Sequence, residues 1–333
     1  MSASRSLDVL EARNTEQPGT TRARRPHRSL VPLLLAVALV AAACGSDDDP
    51  AGEADAGPDP SSETFTIGAI PDQDPEVLQR LYGDVADYLA AELGVTVEYV
   101  PVTDYAASVS LFRAGDLDMV WFGGLTGVQA RLQVEGAEAI VQRDIDENFH
   151  SVFIANTASG VEPFEEIDGL DTLAGTRFTF GSESSTSGRL MPQYFLGQAG
   201  VSTDDFDGPP GFSGSHDTTI ELVEAGTFET GALNEQVWAA RTEAGEVDQG
   251  KVQVVFRTPA YHDYHWVIRP DVGERFGDGF TDDVTAALVE LDPAEPDDAE
   301  ILELFGAERF IETDDGNYDQ IEEVARQLGL VTQ

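Results

Sequence analysis

The 333-residue chain has one cysteine, Cys44, and one lysine, Lys251. A lone cysteine excludes an internal disulfide, so the fold must be held by packing and hydrogen bonds alone. Lysine and arginine together number 19 against 62 acidic residues. No basic face can be assembled from so few cations, which argues against nucleic acid as a partner. Long apolar runs are scarce too. The most hydrophobic stretch, residues 30–40, is too short to span a bilayer.

That short stretch has a different meaning in its context. Arg22, Arg24, Arg25 and Arg28 precede it, and it ends in "AAAC", small residues before Cys44. The arrangement resembles a bacterial lipobox, which implies a signal peptide over 1–43, cleavage before Cys44 and lipidation of its sulfur. The twin arginine Arg24-Arg25, followed by Pro26 and His27, fits a twin-arginine signal weakly. Residues 45–62, "GSDDDPAGEADAGPDPSS", carry six acids and no aliphatic side chain larger than alanine's apart from proline. Such a segment cannot bury enough surface to offset its ordering entropy and reads as an acidic tether over 44–62. The leader holds six of the 19 basic residues and three of the 62 acids, leaving 13 against 59 beyond it, a formal net of −46. Excess acid with almost no lysine resembles salt-adapted proteins, in which screening relieves self-repulsion.

Beyond residue 63 the hydrophobic pattern alternates between two periods. "TFTIGAI" has strand alternation, and residues 75–93 place Val77, Leu78, Leu81, Val85 and Leu89 on one helical stripe that Gly94 stops. A strand follows in "VTVEYVPV", then a helix over 106–114, a short buried strand in "DMVWF" and a helix over 124–132. Strands alternating with helices indicate an α/β fold with parallel sheets. "LFRAGDLDMVWFGGLTG" and "LVEAGTFETGALNEQVW" share a plan: helix end, Ala-Gly, short strand, loop opening the next helix. That echo suggests two similar lobes, each sending a strand end towards a shared ligand site.

"GSESSTSGRL", residues 181–190, concentrates hydroxyls between the strand-like "RFTFG" and an apolar helix-like run. A helix start leaves backbone N–H groups unpaired and carries partial positive charge, so hydroxyls there form a cradle for an oxyanion. The stretch is not a nucleotide phosphate loop, for it has no lysine and the wrong glycine spacing. The same residues also suit a plain capped helix.

"STSG" (185–188), "DYAA" (104–107), "WFGGLTG" (121–127), "GSHDTTI" (214–220) and the ending "NYDQIEEVARQLGL" together resemble the periplasmic binding proteins of phosphate, phosphite and phosphonate importers. The resemblance implies a type 2 periplasmic-binding fold: two α/β lobes, a ligand cleft and two crossings, placed near 155–162 and 257–264. Lobe I would comprise 63–157 and 258–333, and lobe II 158–257. Ser185, Thr186 and Ser187 would hold ligand oxygens, and Tyr105 would reach them from the first lobe. Phe122 stands where relatives have a tyrosine, with Gly123 and Thr126 beside it. Asp217 would meet an acidic proton or amino group of the ligand, with His216 beside it in the cleft, and Asn234 lies near another ligand position.

The function so implied is capture of a small phosphorus oxyanion and its delivery to an ABC permease and ATPase. The protein would be a lipid-anchored monomer on the outer face of the cytoplasmic membrane. Parts of the wording, "WFGGLTGVQAR" and "TPAYHDYHW", also resemble a branch of the family assigned to selenate, which keeps group-16 oxyanions open as ligands. A receptor lobe that senses the ligand is a third reading. A hydrolase is disfavoured because "GFSGS" lacks the G-x-S-x-G spacing. No cofactor is expected, and His262 and His265 lack a third ligand at metal-binding spacing.

Overall fold

Phe65, Ile67 and Ala69 alternate inward along the first strand, and each is essentially inaccessible. Asp74 then caps the first helix by accepting from the Glu76 N–H at 2.8 Å. The helix buries Leu78, Leu81, Val85 and Leu89, and ends at Gly94 in the left-handed region (φ 67°). This strand-and-helix unit sets the pattern for a computed structural model that describes residues 63–331. The signal peptide, Cys44 and the acidic tether anticipated from the sequence lie outside the described residues.

The first run comprises β1 (Thr64–Ala69), α1 (Pro75–Leu93), β2 (Thr96–Tyr99), α2 (Tyr105–Ala114), β3 (Met119–Phe122), α3 (Gly124–Gln133) and β4 (Glu138–Arg143). The second comprises β5 (Ser151–Asn156), β6 (Phe178–Phe180), α4 (Met191–Gln198), β7 (Gly211–Phe212), α5 (His216–Glu224), β8 (Thr230–Asn234), α6 (Glu235–Glu243) and β9 (Val252–Arg257). The chain then returns through β10 (His265–Ile268), α7 (Val272–Phe276), α8 (Phe280–Val289), α9 (Pro296–Phe305), β11 (Phe310–Glu312) and α10 (Asp319–Gln327).

Two sheets result, ordered β11-β4-β10-β3-β1-β2 and β7-β6-β8-β5-β9. Within them β2-β1-β3 and β7-β6-β8 are parallel triplets. Each triplet is followed by one antiparallel strand, β10 in the first sheet and β5 in the second. Each of those strands is supplied just after the chain has come over from the other lobe. The echo in the sequence is therefore structural: β3 and β8 occupy the same place in their sheets, each running into a helix at its carboxyl end.

The pairing corrects one boundary. Ser151–Asn156 bonds to β8 and β9, so it belongs to the second sheet rather than to lobe I. The first crossing lies in 144–150, upstream of the expected 155–162, and the return lies in 258–264. A strand's sheet is chosen by its partners rather than by its own alternation, so local pattern could not assign β5.

Candidate functional site

The hydroxyl stretch forms a helix start. Ser185 is the cap residue, its Oγ accepting from the Gly188 N–H at 2.9 Å. One turn of π-helix, Thr186–Leu190, follows and runs into α4. Both glycines of the stretch have a steric reason. Gly181 and Gly188 lie back to back, with Gly181 N–H donating to the Gly188 carbonyl at 2.8 Å. A Cβ on Gly188 would stand 3.0 Å from Ser185 Oγ and 3.1 Å from Gly181 Cα. Ser185, Thr186 and Ser187 are all buried.

A second helix start meets this one from the opposite lobe. The Leu125 N–H, at the beginning of α3, donates to Thr186 Oγ1 at 3.0 Å. The neighbouring Gly124 N–H donates to Asp263 Oδ1 at 2.9 Å. Two positive helix ends thus converge, with no lysine or arginine making a polar contact to either start among the described residues. Gly123 allows the approach, since a Cβ there would lie 3.1 Å from Thr186 Oγ1 and 3.2 Å from Asp263 Oδ1.

Two buried polar atoms at this junction make no hydrogen bond of ordinary geometry: Tyr105 Oη and Asp263 Oδ2. Tyr105 opens α2, faces Ser185 and Asp72, and is 2% exposed. Asp263 lies in the return crossing. Burial raises its pKa to about 7, although the Gly124 amide and the Thr186 hydroxyl favour its charged form. Buried polar groups are nearly always paired, so two orphans facing one spot are a signal for a ligand.

Beside them stands a network joining both lobes. Tyr264 Oη donates to Asp72 Oδ2 at 2.8 Å and accepts from Asn234 Nδ2 at 3.1 Å. The Asn234 N–H points to His216 Nδ1 at 3.4 Å, so the ring proton sits on Nε2, 3.3 Å from Tyr264 Oη. Burial lowers the His216 pKa to about 3, which keeps the ring neutral. Asp72 is raised to about 6, chiefly by burial, against the pull of Tyr264 and Arg143. The His216 N–H also donates across the lobes to the Asp72 carbonyl at 3.0 Å.

The expected site residues fall into three groups. Tyr105, Gly123, Ser185, Thr186 and Ser187 line or adjoin the junction. His216 and Asn234 belong to the flanking network; Asn234 Oδ1 also caps α6 through the Val237 N–H at 2.6 Å. Phe122, Thr126 and Asp217 point elsewhere. Phe122 packs edge-on against Phe112 with ring centroids 5.7 Å apart. Thr126 donates to the Gly123 carbonyl at 3.0 Å. Asp217 lies against Arg241 at 3.6 Å and the backbone of Asp74. Sequence reasoning missed Asp263, Tyr264 and Asp72. In "YHDYHW" the sequence singles out the histidines, whereas the buried carboxyl with an unpaired oxygen is that of the acid between them, Asp263.

The sequence and the fold have known counterparts. Residues 67–318 match the family model described as ABC transporter, phosphonate, periplasmic substrate-binding protein. The chain is 47% identical over 270 residues to the "Probable ABC transporter phosphite binding protein PhnD1" of Prochlorococcus marinus (strain MIT 9301), covering 81% of this chain and 91% of that protein. It superposes on the structure of PhnD1 from that organism in complex with methylphosphonate with a TM-score of 0.79, covering 82% of this chain and 100% of the other at 46% identity. It is 27% identical over 245 residues to the phosphate-import protein PhnD of Mycolicibacterium smegmatis, covering 70% of this chain and 74% of that one. The chain belongs to the family of periplasmic substrate-binding proteins of phosphonate ABC transporters.

Proposed function

We propose that the protein captures a small phosphorus oxyanion, phosphite or a short phosphonate, between its two lobes and presents it to the importer's permease and ATPase. The observation that carries this reading is the partnerless Oδ2 of Asp263 beside the Thr186 helix start. Helix-end amides and the hydroxyls of Tyr105, Ser185 and Thr186 donate to ligand oxygens. Asp263 supplies the one strong acceptor, for which the ligand must bring a proton. The role is binding without turnover, as in the family of substrate-binding proteins to which the chain belongs. A lipid on Cys44 keeps the protein near the permease, and it works as a monomer.

The proton arithmetic separates phosphorus from group-16 ligands. The complex holds one proton between Asp263 and ligand. A phosphorus oxyanion loses its last proton near neutrality, and Asp263 has a pKa of about 7. Phosphite affinity therefore peaks near pH 7: below it a proton must be released, above it one must be taken up. Selenate brings no proton, so its binding needs a protonated Asp263 and falls about tenfold per pH unit above 7. Calorimetric titration from pH 5.5 to 8.5 with phosphite and selenate tests this. An Asp263→Asn variant should remove the alkaline fall for both ligands. Selenate binding more tightly than phosphite at pH 8 would exclude the phosphorus reading.

A further inference from the structure

Arg143 and Asp146 are buried together where β4 runs into the first crossing, 6% and 0% exposed. The guanidinium grips the carboxylate as a fork, Nε to Oδ2 at 2.7 Å and Nη2 to Oδ1 at 2.8 Å. The Arg143 backbone N–H adds a bond to Oδ2 at 3.2 Å. Nη1 donates to the Phe305 carbonyl, the last of α9, at 2.8 Å. Three aromatic rings wall the cation in: Tyr264, Trp121 and Phe149, with centroids 5.0, 5.4 and 5.8 Å from it.

Taking two charges out of water is costly, and well-packed apolar side chains of similar volume often serve stability as well or better. Apolar side chains would not, however, fix the turn at 144–148 in one orientation. That turn reaches the return crossing, where the Asp146 carbonyl accepts from the Asp263 N–H at 3.2 Å. Three residues further on, Phe149 and Tyr261 exchange N–H···O bonds of 2.9 and 3.0 Å. The Asp263 carbonyl accepts from His265 Nδ1 at 3.0 Å, and its Oδ1 from the Gly124 N–H at 2.9 Å. His265 opens β10 and Gly124 opens α3, so these two anchors belong to the first lobe. The third is the turn that Arg143 holds to the end of β4.

We propose that Arg143 and Asp146 are positioning residues for Asp263: their clasp makes it a fixed part of lobe I, with Oδ2 preset for the ligand before the lobes close. The inference rests on the proposed role of Asp263 and adds the residues that orient it. The side-chain nitrogens of Arg143 and both oxygens of Asp146 already have partners, so the pair acts through Asp263. A preset acceptor spares the ligand the ordering of a crossing segment on closure.

The test is a double-mutant cycle read as phosphite affinity by calorimetry at pH 7. Arg143→Met combined with Asp146→Leu replaces the clasp by an apolar pair, and thermal melting establishes that the protein folds. Phosphite affinity should fall by about tenfold in the parent, and by less than about twofold on an Asp263→Ala background. A merely structural pair would cost the same in both. Arg143→Lys keeps the charge without the fork and should reproduce the pattern; it decides alone if the apolar pair does not fold. Undiminished affinity in the folded variant overturns the proposal. An equal loss on both backgrounds overturns it too, because the clasp is then a brace for the hinge rather than for Asp263. The reading beneath it fails separately: a parent without phosphite affinity removes the ligand, and an Asp263→Ala protein that binds as the parent does removes the acceptor.

Discussion

Tyr105 Oη is a buried hydroxyl that faces Ser185 without a hydrogen bond of ordinary geometry, and such a group costs stability wherever water has been removed from it. Tyr105→Phe should therefore leave the melting temperature of the unliganded protein unchanged or slightly raised. Phosphite affinity should fall about ten- to hundredfold, the worth of one hydrogen bond to a charged group. A variant that melts several degrees lower yet binds phosphite as the parent does would give Tyr105 a structural role instead. Ordinary core tyrosines behave the other way. Among single residues the hydroxyls were legible in the sequence because they stand together, from Ser182 to Ser187. Asp263 and Asp72 were not, for two acids among 62 carry no local mark. What sets them apart is burial at a junction of distant segments, and only the tertiary structure brings that about. Asp217 shows the converse: it opens a helix in a motif shared with the family, yet its charge is turned towards Arg241.

Helices and strands were read well, and the reason lies in their periodicity and caps. Asp104, Ser185 and Ser215 each accept from a backbone N–H in the first turn they open. The misplaced crossing arose where periodicity has nothing to say, since β5 would look the same in either sheet. One element also breaks its own local rule. Gly127 sits inside α3, where glycine costs about 1 kcal/mol relative to alanine. The structure supplies the compensation: a Cβ there would lie 2.3 Å from His265 Nε2. That ring has no room to retreat, being stacked on Tyr318 at 3.7 Å with Nδ1 held by the Asp263 carbonyl at 3.0 Å. Gly127→Ala should accordingly lower stability by about 2 kcal/mol, the usual cost of overpacking, despite its better helix propensity. Because His265 bonds to the backbone of Asp263, phosphite affinity should drop alongside. Thermal melts and a binding isotherm decide the matter. A stabilised Gly127→Ala protein would mean that the His265–Tyr318 stack yields to a methyl group and does not position Asp263.

For the molecule as a whole, charge sets the conditions under which the lobes can come together. Of the 59 acids beyond the leader, six fall in 45–62, which leaves 53 in the remainder of the chain against all 13 basic residues. Nine of those basic residues, Arg143 and Arg275 among them, already have an acidic partner within ion-pair distance. Most acids therefore repel one another without compensation, and closing the cleft brings two acidic lobes closer. Exposed ion pairs contribute little, typically under about 1 kcal/mol each, so salt has little there to weaken. The unpaired acids leave it much to relieve, since the screening length falls from about 10 Å at 0.1 M to about 3 Å at 1 M. Raising sodium chloride over that range should raise the melting temperature by several degrees and tighten phosphite binding as well. Potassium chloride should act alike, because screening does not depend on which monovalent cation supplies it. Chloride salts are required, as sulfate or phosphate would compete for the junction of the two helix starts. A melting temperature that falls with salt would mean that the ion pairs those nine residues make outweigh the surplus acid.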